Sequence, residues 1–136
     1  MNSRILIVDD DPELRQLFRL ILQRDGYEVI EAENGTQAIQ QALAGSPALI
    51  LLDVMMPGPD GFETCRLFKK DERIAGLPVI FISALNDVQS HERGLKAGAD
   101  DYLHKPVNPR YLLARVRTVM HRRGIDSFHK SSMPAR

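Results

Sequence analysis

Leu49-Ile50-Leu51-Leu52-Asp53 is the stretch on which the fold turns. Four large aliphatic residues in a row, with no polar alternation, read as a strand covered on both faces, as in a parallel sheet with helices above and below it. An acid follows directly. Toward the N-terminus, Ile5-Leu6-Ile7-Val8 has the same form and runs into Asp9-Asp10-Asp11; toward the C-terminus, Val79-Ile80-Phe81-Ile82 runs into Ser83. Two weaker runs complete the set. Glu28 to Ala32 places Glu31 two residues after Val29, which suits an edge strand with one wetter face, and Tyr102-Leu103 leads to Lys105-Pro106.

Helical patterns separate these runs. Leu14, Leu17, Phe18, Ile21 and Leu22 follow i, i+3, i+4, i+7, i+8 spacing and predict one apolar stripe. Asp10 or Asp11 is the expected N-cap, Pro12 lies in the first turn and Gly26 is the stop. Ala38, Ile39, Ala42 and Leu43 mark a second helix closed by Gly45 and Pro47. A third, from about Gly61 to Lys70, shows Phe62, Cys65 and Phe68 or Lys69 on one face. A fourth, from about Asp87 to Ala97, has the weakest periodicity. The fifth carries a strong stripe of Leu112, Leu113, Val116, Val119 and Met120, with arginines on its other faces.

The expected architecture is therefore α/β: a doubly wound, five-stranded parallel sheet with five helices and right-handed crossovers. The common order for such a sheet is 2-1-3-4-5, with its ligand crevice at the carboxyl ends of the first and third strands. A length of 136 residues suits one domain. Residues 1–123 would form it, and 124–136 would be a tail or the start of a linker. Eighteen basic and eighteen acidic residues cancel, which argues against a strongly basic nucleic-acid surface. Cys65 is the sole cysteine, so no internal disulfide can form. Without a signal-peptide pattern or an apolar run long enough to span a bilayer, the expectation is a cytoplasmic protein without membrane contact.

The carboxyl ends of the strands carry the chemistry. Asp9, Asp10, Asp11, Asp53, Ser83 and Lys105 all fall there. Asp11 alone reads as a helix cap, but the group does not. Two like charges ~4 Å apart repel by about 4 kcal/mol at an effective dielectric near 20, a large fraction of the ~5–15 kcal/mol that stabilises a domain. A divalent cation would remove that penalty, and an all-oxygen donor set with room for water suits Mg2+ (or Mn2+). Lys105 adds a fixed positive charge for an anion. A metal, an ammonium and a hydroxyl around one carboxylate describe a phosphoryl-transfer site with Asp53 as nucleophile.

These residues resemble the response-regulator receiver domains of two-component signalling. The likeness covers about Ser3 to Arg123. It is carried by Ile7-Val8-Asp9-Asp10-Asp11, by Asp53-Val54-Met55-Met56-Pro57-Gly58-Pro59-Asp60-Gly61, by Ser83-Ala84, by Ala97-Gly98-Ala99-Asp100-Asp101-Tyr102 and by Lys105-Pro106. The resemblance implies a flavodoxin-like three-layer sandwich and a switch in a phosphorelay. Asp53 would accept phosphate from a sensor histidine kinase, a histidine phosphotransfer protein or a small phosphodonor. Asp10, Asp53 and the Met55 backbone carbonyl would hold Mg2+, with Asp9 acting through water. Ser83 and Lys105 would contact the phosphoryl group, Tyr102 would be the switch aromatic, and Lys105-Pro106 would be a cis peptide. Met55 and Leu85 stand where similar receivers tune hydrolysis.

The same likeness implies a signalling domain that assists its own phosphorylation and dephosphorylation, rather than an enzyme with an external substrate. It also implies a homodimer face built by the fourth helix, fifth strand and fifth helix. Asp100, Asp101, Arg115 and Arg122 match there, while His91 and Tyr111 replace a usual basic–acidic pair. The four histidines, His91, His104, His121 and His129, fit no metal-ligand spacing and are expected on the solvated surface. Two rivals fit less well. An aspartate-nucleophile phosphatase wants a second acid where Met55 stands, and a flavin-binding flavodoxin-like module wants a phosphate loop where three carboxylates stand.

Overall fold

The computed structural model describes residues 3–125. Five strands and five helices alternate: β1 (Arg4–Val8), α1 (Pro12–Arg24), β2 (Glu28–Ala32), α2 (Gly35–Gly45), β3 (Leu49–Asp53), α3 (Gly61–Lys70), β4 (Val79–Ser83), α4 (Val88–Lys96), β5 (Asp101–His104) and α5 (Pro109–Arg122). All strand pairs are parallel and the order is β2-β1-β3-β4-β5. The expected doubly wound sheet is the one observed.

The strands' two-residue period divides the core. Ile5, Ile7, Leu49, Leu51, Ile80 and Ile82 point toward α1 and α5, where they meet Phe18, Leu22, Leu112 and Val116. Leu6, Val8, Ile50, Leu52 and Phe81 point the other way, toward α2, α3 and α4, where they meet Ala38, Phe62, Phe68 and Ala97. Both faces of β3 and β4 are buried along their whole length, which explains why their sequences show no alternation. The register sets Val8 opposite Leu52 and Asp53 opposite Ile82, so the carboxyl ends of β1, β3 and β4 come to one edge.

Helix starts are fixed by side-chain caps. Asp11, not Asp10, caps α1 by accepting from Glu13 N at 2.9 Å and Leu14 N at 3.4 Å. Asp60 and Glu63 form a reciprocal capping box at α3, and Asp87 caps α4 through Ser90 N at 3.0 Å.

Two sequence expectations need correction. Leu17, assigned to the buried stripe of α1, is 50% exposed; with Leu20 and Ile21 it lines a shallow groove against Pro109 and Leu113. The five-residue stripe is wider than the face α1 presents to the sheet. β2 is an edge strand, as expected, and Glu31 on it stays partly exposed while pairing with Arg15 at 3.0 Å and with Arg19 of α1. His91 packs against Tyr102, with ring centroids 4.1 Å apart, whereas His104 and His121 are exposed as expected. His129 and most of the expected tail lie outside the described residues.

Candidate functional site

Asp9, Asp10 and Asp53 converge because β1 and β3 are neighbours that end level with one another. Their carboxylate oxygens lie within 4.8 Å of one another. Asp9 and Asp53 are buried and Asp10 is exposed. Asp9 is held on both sides: Oδ1 accepts from Asp11 N at 2.9 Å and Oδ2 accepts from Lys105 Nζ at 3.0 Å. Its own carbonyl accepts from Arg15 at 2.7 Å, which ties the acidic loop to α1.

Lys105 reaches this edge from the loop after β5. Its ammonium lies 3.4 Å from Asp53 Oδ2 as well as 3.0 Å from Asp9 Oδ2. The Lys105–Pro106 bond is cis, as expected. One ammonium thus bridges two of the three carboxylates, and the cluster keeps an excess of negative charge. Burial, reinforced by the Asp9 carboxylate, raises the Asp53 carboxyl to about 6 against the pull of Lys105. Burial also opposes charge on Lys105, but hydrogen bonding and attraction to Asp9 and Asp53 outweigh it and hold the ammonium above its usual range.

The donor set fits a hard divalent cation, being oxygen-only, doubly negative after Lys105 is counted, and open to water at Asp10. Met55 sits beside it: its N–H donates to Asp53 Oδ1 at 3.3 Å and its side chain is exposed. Gly61 keeps the loop after β3 tight. A Cβ there would fall 2.3 Å from the Asp53 carbonyl oxygen, so only glycine lets α3 start this close.

Ser83 ends β4, fully buried, and its hydroxyl accepts from Leu85 N at 3.0 Å. The Leu85 carbonyl accepts from the Tyr102 hydroxyl at 2.8 Å. Tyr102 is buried, with no wet hydroxyl, and lies among Phe81, Gly94 and His91. Burial raises its phenol above the usual range. The chain Ser83–Leu85–Tyr102–His91 therefore joins the crevice to α4 through contacts at each step.

Cys65 is fully buried and its Sγ donates to the Ala97 carbonyl at 3.4 Å; burial pushes the thiol up to about 11, which leaves it inert. Two residues near the site were missed from sequence. His91 was placed on the surface, and Arg93, whose guanidinium lies 4.3 Å from the centre of the Phe62 ring, was not singled out. Neither had a signal in the sequence, because Tyr102 lies on β5 and Phe62 on α3, elements other than α4. The four charged residues expected on the dimer face are partly engaged within the chain: Asp101 pairs with Arg115 at 2.5 Å, and Asp100 with Arg123 at 2.6 Å.

Among the described residues no helix is long and apolar enough to cross a membrane. The family model of the response regulator receiver domain matches residues 5–117. The transcriptional regulatory protein ResD of Bacillus subtilis (strain 168) is 38% identical over 135 residues, covering 99% of this chain and 55% of that protein. The phosphate regulon transcriptional regulatory protein PhoB of Pseudomonas aeruginosa is 43% identical over 124 residues, covering 91% of this chain and 54% of that protein. The chain thus spans about half the length of these relatives. The structure of the Vibrio cholerae chemotaxis protein CheY4 superposes with a TM-score of 0.83 at 30% identity, covering 88% of this chain and 99% of that one. With the sheet order and the acid cluster in agreement, the chain belongs to the response regulator receiver domain family.

Proposed function

We propose that Asp53 is the phosphoacceptor of a two-component phosphorelay. The observation that carries this reading is the set of three carboxylates within 4.8 Å, two of them bridged by Lys105. An Asp53 carboxylate oxygen attacks phosphorus in line with the leaving group of a phosphohistidine on a sensor kinase or histidine phosphotransfer protein. Lys105 exchanges part of its contact with Asp53 for a phosphoryl oxygen, and the Ser83 hydroxyl donates to another. Asp10, Asp53 and the Met55 carbonyl would hold Mg2+ (or Mn2+), with Asp9 acting through water. That ion would supply charge neutralisation to the transferring group.

The switch follows from the hydrogen bonds around Ser83. A phosphoryl group brings about −1.5 to −2 charge and strong acceptor oxygens. Drawing the Ser83 hydroxyl toward it moves the partner of Leu85 N, and the Leu85 carbonyl is the partner of Tyr102. The phosphorylated state favours the buried Tyr102 setting and one position of α4. Reversal of a 1:99 population needs ~5.5 kcal/mol of differential binding, which several charge-assisted hydrogen bonds and a metal contact can reach. The α4–β5–α5 face, with Leu95 and Tyr111 exposed, would then meet its partner. Pairing of two copies requires Arg115 to exchange its internal Asp101 contact for one across the dimer. Residues 124–136 would be a tail or linker, the domain would not itself bind nucleic acid, and the protein would work in the cytoplasm.

Incubation with phosphoramidate and Mg2+ should add one phosphoryl group, seen by intact mass, and Asp53→Asn should gain none. Equal modification of that variant would remove the assignment. Met55 and Leu85 offer the attacking water no hydrogen bond, so Met55→Asn should shorten the lifetime of the adduct. Sedimentation with and without beryllofluoride tests pairing: a dimer seen only with the mimic and weakened by Arg115→Glu supports this face.

A further inference from the structure

Beside the phosphoacceptor lies a pocket of about 470 Å3, whose walls include Asp10, Met55, Met56, Phe62, Leu85 and Arg93. Among the described residues, Arg93 is the one cationic side chain that lines it. Its guanidinium lies over the Phe62 ring, 4.3 Å from the ring centre, and it forms no ion pair among the described residues. Its seat is rigid. Phe62 is buried and meets Phe81 edge-on at 5.3 Å between centroids. The adjoining Gly94 lets α4 press close, since a Cβ there would sit 2.9 Å from Tyr102 Cδ2.

We propose that Arg93 and this pocket form a subsite for the carboxylate that leaves when Asp53 is phosphorylated by an acyl phosphate. The proposal rests on Asp53 being the acceptor and adds a choice among donors. With an acyl phosphate, an Asp53 oxygen forms the new bond to phosphorus while the bond from phosphorus to the acyl oxygen breaks. The electron pair leaves with that oxygen as a carboxylate anion, and no proton need move. With phosphoramidate the phosphorus–nitrogen bond breaks, and the nitrogen, already protonated, leaves as neutral ammonia. Negative charge therefore develops on the leaving group only in the first case. Without Arg93 that anion would emerge beside Asp10 and Asp60, both on the pocket wall. A guanidinium over an aromatic ring, with no carboxylate partner of its own, can match an incoming carboxylate with two parallel hydrogen bonds.

The test compares initial rates of Asp53 adduct formation from acetyl phosphate and from phosphoramidate, both with Mg2+, followed by intact mass. The measured quantity is the ratio of the two rates, so a fold defect, which slows both, drops out. For Arg93→Gln the ratio should fall roughly tenfold, the value of a hydrogen bond to a charged group, and Arg93→Lys should recover part of it. A ratio unchanged within about twofold in Arg93→Gln, or one lowered equally in Arg93→Lys and Arg93→Gln, overturns the subsite while leaving the acceptor intact. If the unaltered chain gains a phosphoryl group from neither donor, the acceptor assignment fails and the subsite fails with it.

Discussion

Helices α4 and α5 both pack beside β5, and they are held there by different means. α5 inserts Leu112, Val116, Val119 and Met120, all essentially without solvent exposure. At ~1.5–3 kcal/mol for each large apolar side chain buried, that face fixes the helix to the sheet. α4 inserts only Ser90 and Gly94, followed by Ala97 at its C-cap, while Val88 is 72% and Leu95 58% exposed. Its attachment comes from close backbone approach, the Asp87 cap and the tilted ring contact of His91 with Tyr102. The contrast shows how a small domain can hold a frame and a movable part at once. Segments with few buried apolar contacts are the ones that shift at low cost, and α4 is the segment linked to Ser83.

The largest expected effect breaks the frame. Leu112→Ala should cost about 3 kcal/mol, within the range for buried leucine deletions, measured as a lower urea midpoint at constant slope. α4 offers no comparable side chain to delete, so a similar loss from Ser90→Ala would erase the contrast.

The next change separates the crevice from both helices. The Asp53 carboxyl rises from 3.8 to about 6 on folding, so the folded state binds more protons than the unfolded state between those values. Stability is therefore present below pH ~4 and is lost as pH rises through ~6. The full shift corresponds to at most ~3 kcal/mol; water above the open crevice screens part of it and leaves about 1–2 kcal/mol. Without divalent cations, Asp53→Asn should gain that amount at pH 8, and the gain should fade toward pH 4. Denaturation curves at the two pH values check it, and a constant gain would point to some other origin.

Gly94→Ala sharpens the view of α4. Alanine favours helix by ~1 kcal/mol over glycine, but the added Cβ forces Tyr102 or Phe81 to give way at a typical cost of ~1–3 kcal/mol. A net loss of about 1 kcal/mol, with greater solvent access for Tyr102, is expected; near-UV circular dichroism reports the ring. The smallest effect is at Leu95→Gln, within ~0.5 kcal/mol because the side chain is already in water. A larger loss in a melting curve would show that α4 depends on its outer face.

The same contrast decides what could be read from the residues alone. β1, β3, β4 and α5 are legible because apolar burial writes long uniform runs or a clean stripe. The acid cluster and Lys105 are legible because strand order brings known strand ends together. α4 is faint because its buried face is made of Ser90 and Gly94, which carry no hydrophobic signal. The contacts of His91 with Tyr102 and of Arg93 with Phe62 join residues on separate elements, so their positions in the chain do not announce them. The ion pairs of Glu31 are hidden for a related reason, since its arginine partners lie on α1 and not on the strand. Leu17 erred the other way: helical spacing marks a stripe but not how much of it the sheet can cover.

Modification of Asp53 is expected to be felt at α4 while α5 keeps its seat on the sheet. Amide hydrogen exchange followed by mass spectrometry, with Mg2+ alone and with Mg2+ plus beryllofluoride, tests it most directly. Exchange should change most in peptides covering residues 83–97 and much less over 112–120, and Asp53→Asn should show no response. Equal changes over both stretches, or a response that survives in Asp53→Asn, would contradict the account.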